Sequence, residues 1–240
     1  MAEFPERVKR IFVNTETNEA GVYAIKLCIN GEFKEIIVDD LFPCVANAAG
    51  NGYVTAFSKS RGGQEIWVQL LEKAWAKANL NYESTISGLP SDAYRCLTGA
   101  PVEFYNHDFY DEDLWQIIKD SDAKNYIISA SSATAEQETK DLKKVGLVSD
   151  HAYSVISAVE VNPQTRLLKL RNPWGHQEWN GDWSDKSTKW TPELRLKLGA
   201  VDLEDGVFFI SFSDYMNYYR STTICRVNDG FHYKSIRIDT

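Results

Sequence analysis

GLVSDHAYSV at residues 146–155 and RNPWG at residues 171–175 are the two stretches that decide the fold of this chain. His151 opens a run of β-forming residues, and Asn172 directly follows the next such run along the chain. Successive runs of this kind pair as antiparallel strands. The sequence therefore predicts that the two side chains lie side by side at one end of a sheet.

A histidine beside an asparagine is the arrangement that a Cys-His-Asn site requires. The histidine takes the proton of a thiol and holds the thiolate in an ion pair, while the asparagine oxygen accepts from the other ring nitrogen. An indole beside that hydrogen bond, as Trp174 would be, keeps water away from it. Taken singly, these residues also have ordinary interpretations as a partly buried histidine, an Asn-Pro turn and a core tryptophan. Their occurrence together, in this order, favours the catalytic interpretation.

The pattern on either side predicts an α+β protein with an α-rich N-terminal lobe and a β-rich C-terminal lobe of antiparallel strands. Apolar residues at helical spacing predict helices, whereas alternating or β-branched runs predict strands. The predicted helices are 4–12, 64–78, 113–119, 136–144 and a short one begun by Thr191-Pro192. The predicted strands are 22–29, 32–38, 125–129, 151–161, 167–171, 207–212 and 222–227. The Gly/Ser/Pro-rich stretch 84–99 interrupts these patterns and is the expected lobe boundary.

The composition is globular, with 240 residues, 43% of them hydrophobic, and a formal net charge of −8 spread along the chain. This charge argues against nucleic acid as a partner. No apolar run approaches the roughly 18 residues that span a bilayer, and Met1–Arg7 has no secretory pattern, so we expect a cytoplasmic protein without membrane insertion. The four cysteines lie far apart without zinc-ligand spacing, and we expect reduced structural thiols.

These motifs resemble the calpain family of papain-like cysteine proteases. In that family the histidine lies in G-L-V-x-x-H-A-Y-S-V and the asparagine in R-N-P-W-G-x-x-E-W-x-G-x-W-S-D, and residues 146–155 and 171–185 are similar to both patterns. The resemblance extends upstream to Val38-Asp39-Asp40 with Pro43, to WVQLLEKAWAK at residues 67–77, and to Leu97-Thr98-Gly99. It covers roughly residues 5–228.

The resemblance implies a papain-like core with a partial N-terminal lobe at 1–99, a C-terminal lobe at 100–228, and a linker or further domain from 229 to 240. It implies that His151 is the general base, Asn172 the orienting residue and Trp174 the shield. The implied activity is that of a calcium-dependent intracellular endopeptidase without an organic cofactor. The implied partners are polypeptide substrates, cut with weak sequence preference, and the adjoining domains of a longer chain.

Calcium is the metal that the resemblance implies, and this ion takes hard oxygen ligands. Glu72 is similar to a ligand in the family's N-terminal lobe. In the C-terminal lobe the similar positions are Glu178, Asp185, Leu203 through its carbonyl, and Asp205. The family continues with D-G-E where this chain has D-G-V, so that Val207 replaces a carboxylate. We therefore expect a weakened calcium site, with an ordinary solvated acidic face as the alternative.

The nucleophile of the family is not found in this sequence. It belongs to a G-x-C-W helix start ahead of V-D-D, and counting back from Val38 places it before Met1. None of the four cysteines lies in such a motif: Cys28, Cys44, Cys96 and Cys225. We expect either a protease fragment that is inactive on its own or a non-catalytic protein that keeps the fold as a scaffold. An unrelated tryptophan-rich β module that binds sugar or peptide would leave the ordered motifs unexplained.

Overall fold

The computed structural model describes residues 3–60, 65–110, 112–134, 141–230, 232–234 and 236. No helix in these ranges is long and apolar enough to cross a bilayer. The chain divides into two compact units, of which the first comprises residues 1–99 with 232–240 and the second comprises residues 100–231. Helices and antiparallel strands are both present, which confirms the α+β fold class predicted from the sequence.

A two-stranded hairpin lies at the centre of the first unit. Its strands are β1 (Val22–Ile29) and β2 (Glu32–Asp39), in agreement with the predicted hairpin. The turn residues Asn30 and Gly31 have φ values of 52° and 76°. Both values lie in the left-handed region that a two-residue turn between twisted strands requires, which is why an Asn-Gly pair occurs here.

One amphipathic helix, α2 (Trp67–Ala78), packs against this hairpin and confirms the helix predicted over 64–78, with its start shifted to Trp67. Residue 64 itself lies outside the described residues. Leu70 and Ala74 of α2 join Ile25 and Leu27 of β1 in one buried apolar cluster. Burying a large aliphatic side chain contributes about 1.5–3 kcal/mol to stability, so this small cluster is the main apolar support of the unit.

The remaining elements of the first unit are short. They are α1 (Pro5–Lys9), β3 (Cys44–Ala46), β4 (Tyr53–Thr55), a 3-10 turn at Glu83–Thr85, and α3 (Pro90–Thr98). The presence of α3 corrects the interpretation of 84–99 as irregular. Pro90 occupies its first turn, where the missing N–H is harmless, and Gly99 ends it with φ 66°. Both residues were read as loop signals, although they also mark the ends of a helix.

Tyr233 contacts the hairpin of the first unit. The ring of Tyr233 meets that of Phe33 edge-on, with 5.0 Å between centroids. The Tyr233 hydroxyl donates to the carbonyl of Gly31. The sequence was interpreted as starting a linker or further domain at 229–240, and in the structure residues 232–240 group with the first unit.

One six-stranded antiparallel sheet organises the second unit. In chain order its strands are β5 (Val102–Asn106), β6 (Ile127–Ser132), β7 (Ala152–Asn162), β8 (Thr165–Arg171), β9 (Val207–Ser211) and β10 (Tyr219–Cys225). Across the sheet the order is β5-β10-β6-β7-β8-β9. The predicted strands are confirmed with shifted ends, and β5 was not predicted.

Three α-helices accompany this sheet in the described residues. They are α4 (Glu112–Ala123), α5 (Pro192–Leu198) and α6 (Phe212–Tyr218), together with 3-10 turns at His107–Phe109 and Leu142–Val145. The helix α4 confirms the prediction over 113–119 and extends it. Of the helix predicted over 136–144, residues 136–140 lie outside the described residues, and the remainder contributes to the second 3-10 turn.

Side-chain caps fix the starts of the two short helices. Thr191 accepts from the N–H of Leu194 at 3.2 Å and begins α5, as the Thr-Pro pair predicts. Ser211 accepts from the N–H of Asp214 at 3.0 Å and begins α6. The segment 207–212 was predicted to be entirely strand, and this cap explains why Phe212 already belongs to the helix.

The apolar core of the second unit joins the sheet to α4 and α6. Leu114 and Ile118 of α4 are fully buried, as are Leu168 and Leu170 of β8. The strands β7 and β8 are central in the sheet and are held on both sides by neighbouring strands. Their adjoining ends therefore provide a rigid place for the side chains of the site.

Candidate active site

His151 lies directly before β7 and is held by the end of β6. The backbone N–H of Ser132 donates to the carbonyl of His151 at 3.0 Å. The preceding residue, Asp150, has φ 51°, and its N–H donates to the carbonyl of Ala133 at 2.8 Å. The end of β6 and the residue that follows it thus fix the backbone at the point where the imidazole leaves it.

Asn172 directly follows β8 and has no exposed surface. Its N–H donates to the carbonyl of Gly206 at 2.8 Å, next to the start of β9. A Cβ on Gly206 would lie 2.6 Å from the Asn172 carbonyl oxygen, and Gly206 has φ 84°. This close approach, together with the positive φ, explains why glycine stands beside the asparagine.

The orientation of the Asn172 carboxamide follows from its contacts. Its Nδ2 donates to the carbonyls of His176 at 2.7 Å and Gln177 at 3.1 Å. Its Oδ1 accepts from the backbone N–H of Trp174 at 3.1 Å. Because carbonyls only accept and a backbone N–H only donates, the oxygen and nitrogen of the amide cannot be exchanged.

The structure brings the predicted histidine and asparagine together. His151 Nε2 lies 2.9 Å from Asn172 Oδ1, within the hydrogen-bond range expected from the sequence. Since Oδ1 only accepts, Nε2 carries the proton and donates. The neutral imidazole consequently has its lone pair on Nδ1.

Two aromatic rings border the imidazole. The Trp174 ring centroid lies 4.4 Å from that of His151, with 45° between the planes. Tyr153 approaches edge-on at 5.0 Å and 82°. Trp174 is 56% exposed, whereas Tyr153 is 1% exposed. The imidazole is therefore supported from the core by Tyr153 and covered on the outside by Trp174.

Comparison with known proteins agrees with this geometry. The family model described as calpain family cysteine protease matches residues 1–226. The chain belongs to the calpain family.

Curated relatives show the same similarity at moderate identity. The calpain-type cysteine protease ADL1 of Oryza sativa subsp. japonica is 34% identical over 230 residues, which cover 92% of this chain and 10% of the relative. The calpain-1 catalytic subunit of Homo sapiens is 36% identical over 228 residues, covering 91% of this chain and 31% of the relative. Calpain-8 of Rattus norvegicus is 37% identical over 218 residues, covering 87% and 30%. The calpain-family chain thus spans about a tenth to a third of these relatives.

Tyr153 is a site residue that was not predicted. It stands two residues after His151 on the same face of β7, and this spacing is the signal that points to it. Its hydroxyl accepts from the N–H of Val148 at 2.8 Å. Burial raises the pKa of Tyr153 to about 12, and the Val148 hydrogen bond opposes the rise. The phenol is therefore neutral and serves as a fixed wall of the site.

The acidic residues that the calpain resemblance suggested for calcium accept hydrogen bonds from backbone N–H groups. Glu178 Oε1 accepts from the N–H groups of Asp205 at 2.9 Å and Gly206 at 2.6 Å. Asp185 Oδ2 accepts from the N–H of Leu203 at 3.1 Å. The carboxylate of Asp205 accepts from its neighbour two residues on, at 2.9 Å. The structure therefore places the four predicted positions near one another in a closed hydrogen-bonded loop.

The acids predicted to bind calcium are partly buried and already engaged in hydrogen bonds. Burial raises the pKa of Asp185 to about 6; the Leu203 N–H opposes the rise, and the charges of Glu178, Asp202 and Asp205 add to it. Among the described residues, no three His, Cys, Asp or Glu side chains are grouped so that they could hold a metal ion. The Leu203 carbonyl also accepts from the Asp205 N–H at 2.9 Å. The weakened calcium site stays a prediction.

Glu72, the predicted ligand of the first unit, is likewise engaged. Its Oε2 accepts from the hydroxyl of Ser58 at 2.7 Å and from the Ser58 N–H at 3.1 Å. This carboxylate therefore fixes the loop that precedes α2. A metal ion would have to compete with both hydrogen bonds.

Proposed function

We propose that this calpain-family chain carries the base and the orienting residue of a cysteine endopeptidase. The observation that carries the proposal is the 2.9 Å hydrogen bond between His151 Nε2 and Asn172 Oδ1. With Nε2 committed to Asn172, Nδ1 accepts the proton of an attacking thiol. His151 is then the general base, Asn172 the orienting residue and Trp174 the shield.

The imidazole first accepts the proton of the thiol and later donates a proton to the leaving amine. Transfer of the thiol proton to Nδ1 gives a thiolate and an imidazolium that attract each other as an ion pair. The imidazolium donates from Nε2 to Asn172 in a charge-assisted hydrogen bond that is stronger than the neutral one. When the peptide bond breaks, Nδ1 gives its proton to the leaving amine, and it later accepts one from the water that hydrolyses the thioester.

The substrates that suit this proposal are polypeptides cut with weak sequence preference. The net charge of −8 supports polypeptide over nucleic acid partners. The relatives are far longer than the matched region, which supports adjoining domains as further partners. We place the activity in the cytoplasm because all four cysteines are free thiols, which suits a reducing compartment. Calcium enters the proposal only as a weakly bound regulator.

The test uses a longer chain in which these residues are joined to a segment carrying the G-x-C-W nucleophile. Replacing His151 by alanine should lower kcat for a fluorogenic peptide by about 10³-fold or more, because the thiol loses its base and ion-pair partner. Asn172→Ala should cost about 10- to 100-fold, because it removes orientation but not the proton acceptor. Circular dichroism checks folding, and the exposed His232→Ala is the matched control. A folded His151→Ala variant with most of its activity would refute the assignment.

A non-catalytic scaffold is the second candidate, and it is favoured for this chain because none of its four cysteines lies in a G-x-C-W motif. In the described part of the chain, the hydrogen bonds of His151 go to Asn172 and Ser132 and none goes to a cysteine. Cys96 lies in α3, and burial, with a smaller contribution from Cys28, raises its pKa to about 11. Turnover after addition of the G-x-C-W segment supports the protease, and its absence with His151 intact supports the scaffold.

A further inference from the structure

The buried hydroxyl of Ser132 contacts the backbone at both ends of the turn formed by residues 148–151. Ser132 is the last residue of β6 and is 6% exposed. Its Oγ accepts from the N–H of His151 at 3.0 Å and donates to the carbonyl of Val148 at 2.7 Å. The His151 carbonyl lies farther from Oγ, at 3.2 Å, so the single hydroxyl proton goes to Val148.

The strand register explains why a side chain takes this position. Ser131 pairs with Ala152, so Ser132 and His151 form the next antiparallel pair. In a regular ladder such residues exchange two N–H to carbonyl bonds. Here the Ser132 N–H donates to the His151 carbonyl as usual, whereas the His151 N–H donates to the hydroxyl. The hydroxyl thus replaces a backbone carbonyl at the end of the ladder.

The turn from Val148 to His151 is consequently closed by this hydroxyl. The Val148 peptide groups are held from two sides, because its N–H donates to the Tyr153 hydroxyl and its carbonyl accepts from Ser132. Both uses of the Ser132 oxygen, as donor and as acceptor, are satisfied. Removing it leaves the His151 N–H and the Val148 carbonyl without the hydroxyl that joins them, and a polar group that loses its partner inside a protein destabilises the arrangement around it.

We propose that Ser132 is a positioning residue for His151: its hydroxyl joins the His151 N–H to the Val148 carbonyl and so keeps the imidazole on Asn172. The role rests on the proposed function of His151 as the base. The backbone nitrogen of His151 lies two bonds from the carbon that bears the imidazole, so loosening it displaces Nε2 from Oδ1. The hydrogen bonds of the Ser132 hydroxyl in the described part of the chain go to backbone groups of Val148 and His151, so Ser132 acts through this placement.

The experiment observes the protonation of the His151 ring by NMR in the 240-residue chain, and it does not require enzymatic activity. Nitrogen-15 NMR of labelled histidine reports which ring nitrogen of His151 carries the proton, and it reports how fast that proton exchanges with water. In the unmodified chain we expect a protonated Nε2, an unprotonated Nδ1 and slow exchange. In Ser132→Ala we expect mixed tautomers and exchange at Nε2 that is about tenfold faster, which corresponds to the loss of one buried hydrogen bond.

The matched control lies on the same strand. Ser129 is 3% exposed, and its hydroxyl has no hydrogen-bond partner in the described part of the chain. Ser129→Ala therefore deletes the same atom from the same strand without touching the turn, and it should leave the His151 signals unchanged. Ser132→Thr restores a hydroxyl and should return the slow exchange.

An unchanged tautomer and exchange rate in Ser132→Ala would overturn the proposal, as would an equal effect in Ser129→Ala. Should Ser132→Ala fail to fold, Ser132→Cys replaces it, because a thiol keeps a similar volume but is only a weak donor and acceptor. An unchanged tautomer and exchange rate in Ser132→Cys, or an equal effect in Ser129→Ala, would then overturn the proposal. The proposed function fails separately, if His151→Ala leaves turnover intact in the longer chain. The NMR measurement therefore tests the role of Ser132 independently of the turnover measurement.

Discussion

The side chain of Asn172 uses all of its hydrogen-bonding capacity. Its two N–H protons go to the carbonyls of His176 and Gln177, and its oxygen accepts from Trp174 and His151. A fully satisfied buried amide has one orientation, and that orientation selects the tautomer of the neighbouring imidazole. At this scale, the chemistry of His151 is determined by backbone carbonyls that were not identified as part of the site.

Two buried tyrosines allow a matched test of the wall behind His151. Tyr153→Phe removes the acceptor of the Val148 N–H and should lower the free energy of unfolding by about 1–3 kcal/mol. Tyr219 is also 1% exposed, but its hydroxyl has no partner in the described part of the chain. Tyr219→Phe should therefore be neutral or stabilising, because it relieves an unsatisfied polar group. Urea unfolding of both variants checks this, and equal losses would contradict it.

The sequence predicted His151, Asn172 and Trp174 because these residues lie in contiguous motifs. Ser132 and Gly206 were not predicted, because their contacts with the site depend on strand register and on a loop distant in the chain. Tyr153 belongs to the same motif as His151, yet its role depends on which face of β7 is buried. Residues in contiguous motifs can be recognised from short patterns, whereas residues that hold them become evident only from the assembled sheet.

At the scale of single elements, β10 binds a buried histidine from the 3-10 turn at His107–Phe109. His107 Nδ1 lies 2.9 Å from the Tyr219 carbonyl, and its Nε2 lies 2.9 Å from Thr222 Oγ1. The carbonyl requires a proton on Nδ1, so the neutral ring accepts from Thr222 at Nε2. Burial lowers the pKa of His107 to about 4, and the Tyr219 carbonyl opposes the shift.

This histidine should make the unfolding free energy depend on pH. Its pKa is lower in the folded chain than the ordinary value of 6.5, so the unfolded chain binds the extra proton. Its contribution is present above pH 6.5 and is lost as pH falls toward 4, to a maximum of about 3 kcal/mol. His107→Gln should flatten this part of the profile, whereas the exposed His232→Gln should not. Urea unfolding at several pH values measures it, and parallel profiles for all three proteins would refute the prediction.

The loop before β9 and the first residue of β9 contain the positions at which calcium binding can be tested. Val207 supplies no carboxylate where the family has one, and the remaining acids accept from backbone amides. Ligand charge sets affinity in oxygen sites, so we expect weak binding by the unmodified chain and tighter binding by Val207→Glu. Calorimetry measures both, with Asp205→Ala as the control that should remove binding. Micromolar binding by the unmodified chain that survives Asp205→Ala would show that these are not the ligands.

Elements were predicted where local pattern and tertiary environment agree. The strands β7 and β8 have β-branched and apolar runs in a sheet, and α2 has an apolar stripe against a hairpin. The helix α6 was not predicted because its aromatic residues also suit a strand, and its start depends on the Ser211 cap. The helix α3 was missed because its terminal proline and glycine were read as loop signals.

At the scale of the whole molecule, we expect the chain to be inactive as a protease on its own. It contains the histidine and asparagine of the family's site but no G-x-C-W motif. We expect no hydrolysis of casein or of a fluorogenic peptide, with or without calcium, because the imidazole has no activated thiol beside it. A continuous fluorescence assay at high protein concentration measures this. Turnover that disappears in Cys44→Ala or Cys96→Ala would show that one of these thiols is the nucleophile.

The contacts of Tyr233 give the molecule the topology of a guest domain inserted into a host. The polypeptide leaves the first unit after Gly99 and groups with it again from residue 232. The guest begins and ends on neighbouring strands, since Val102 pairs with Cys225 and the Arg226 N–H donates to the Pro101 carbonyl at 2.9 Å. One proteolytic nick beside Gly99 would therefore leave the guest covalently joined to residues 232–240, and its complete separation as a free chain requires a second cut beyond Arg226.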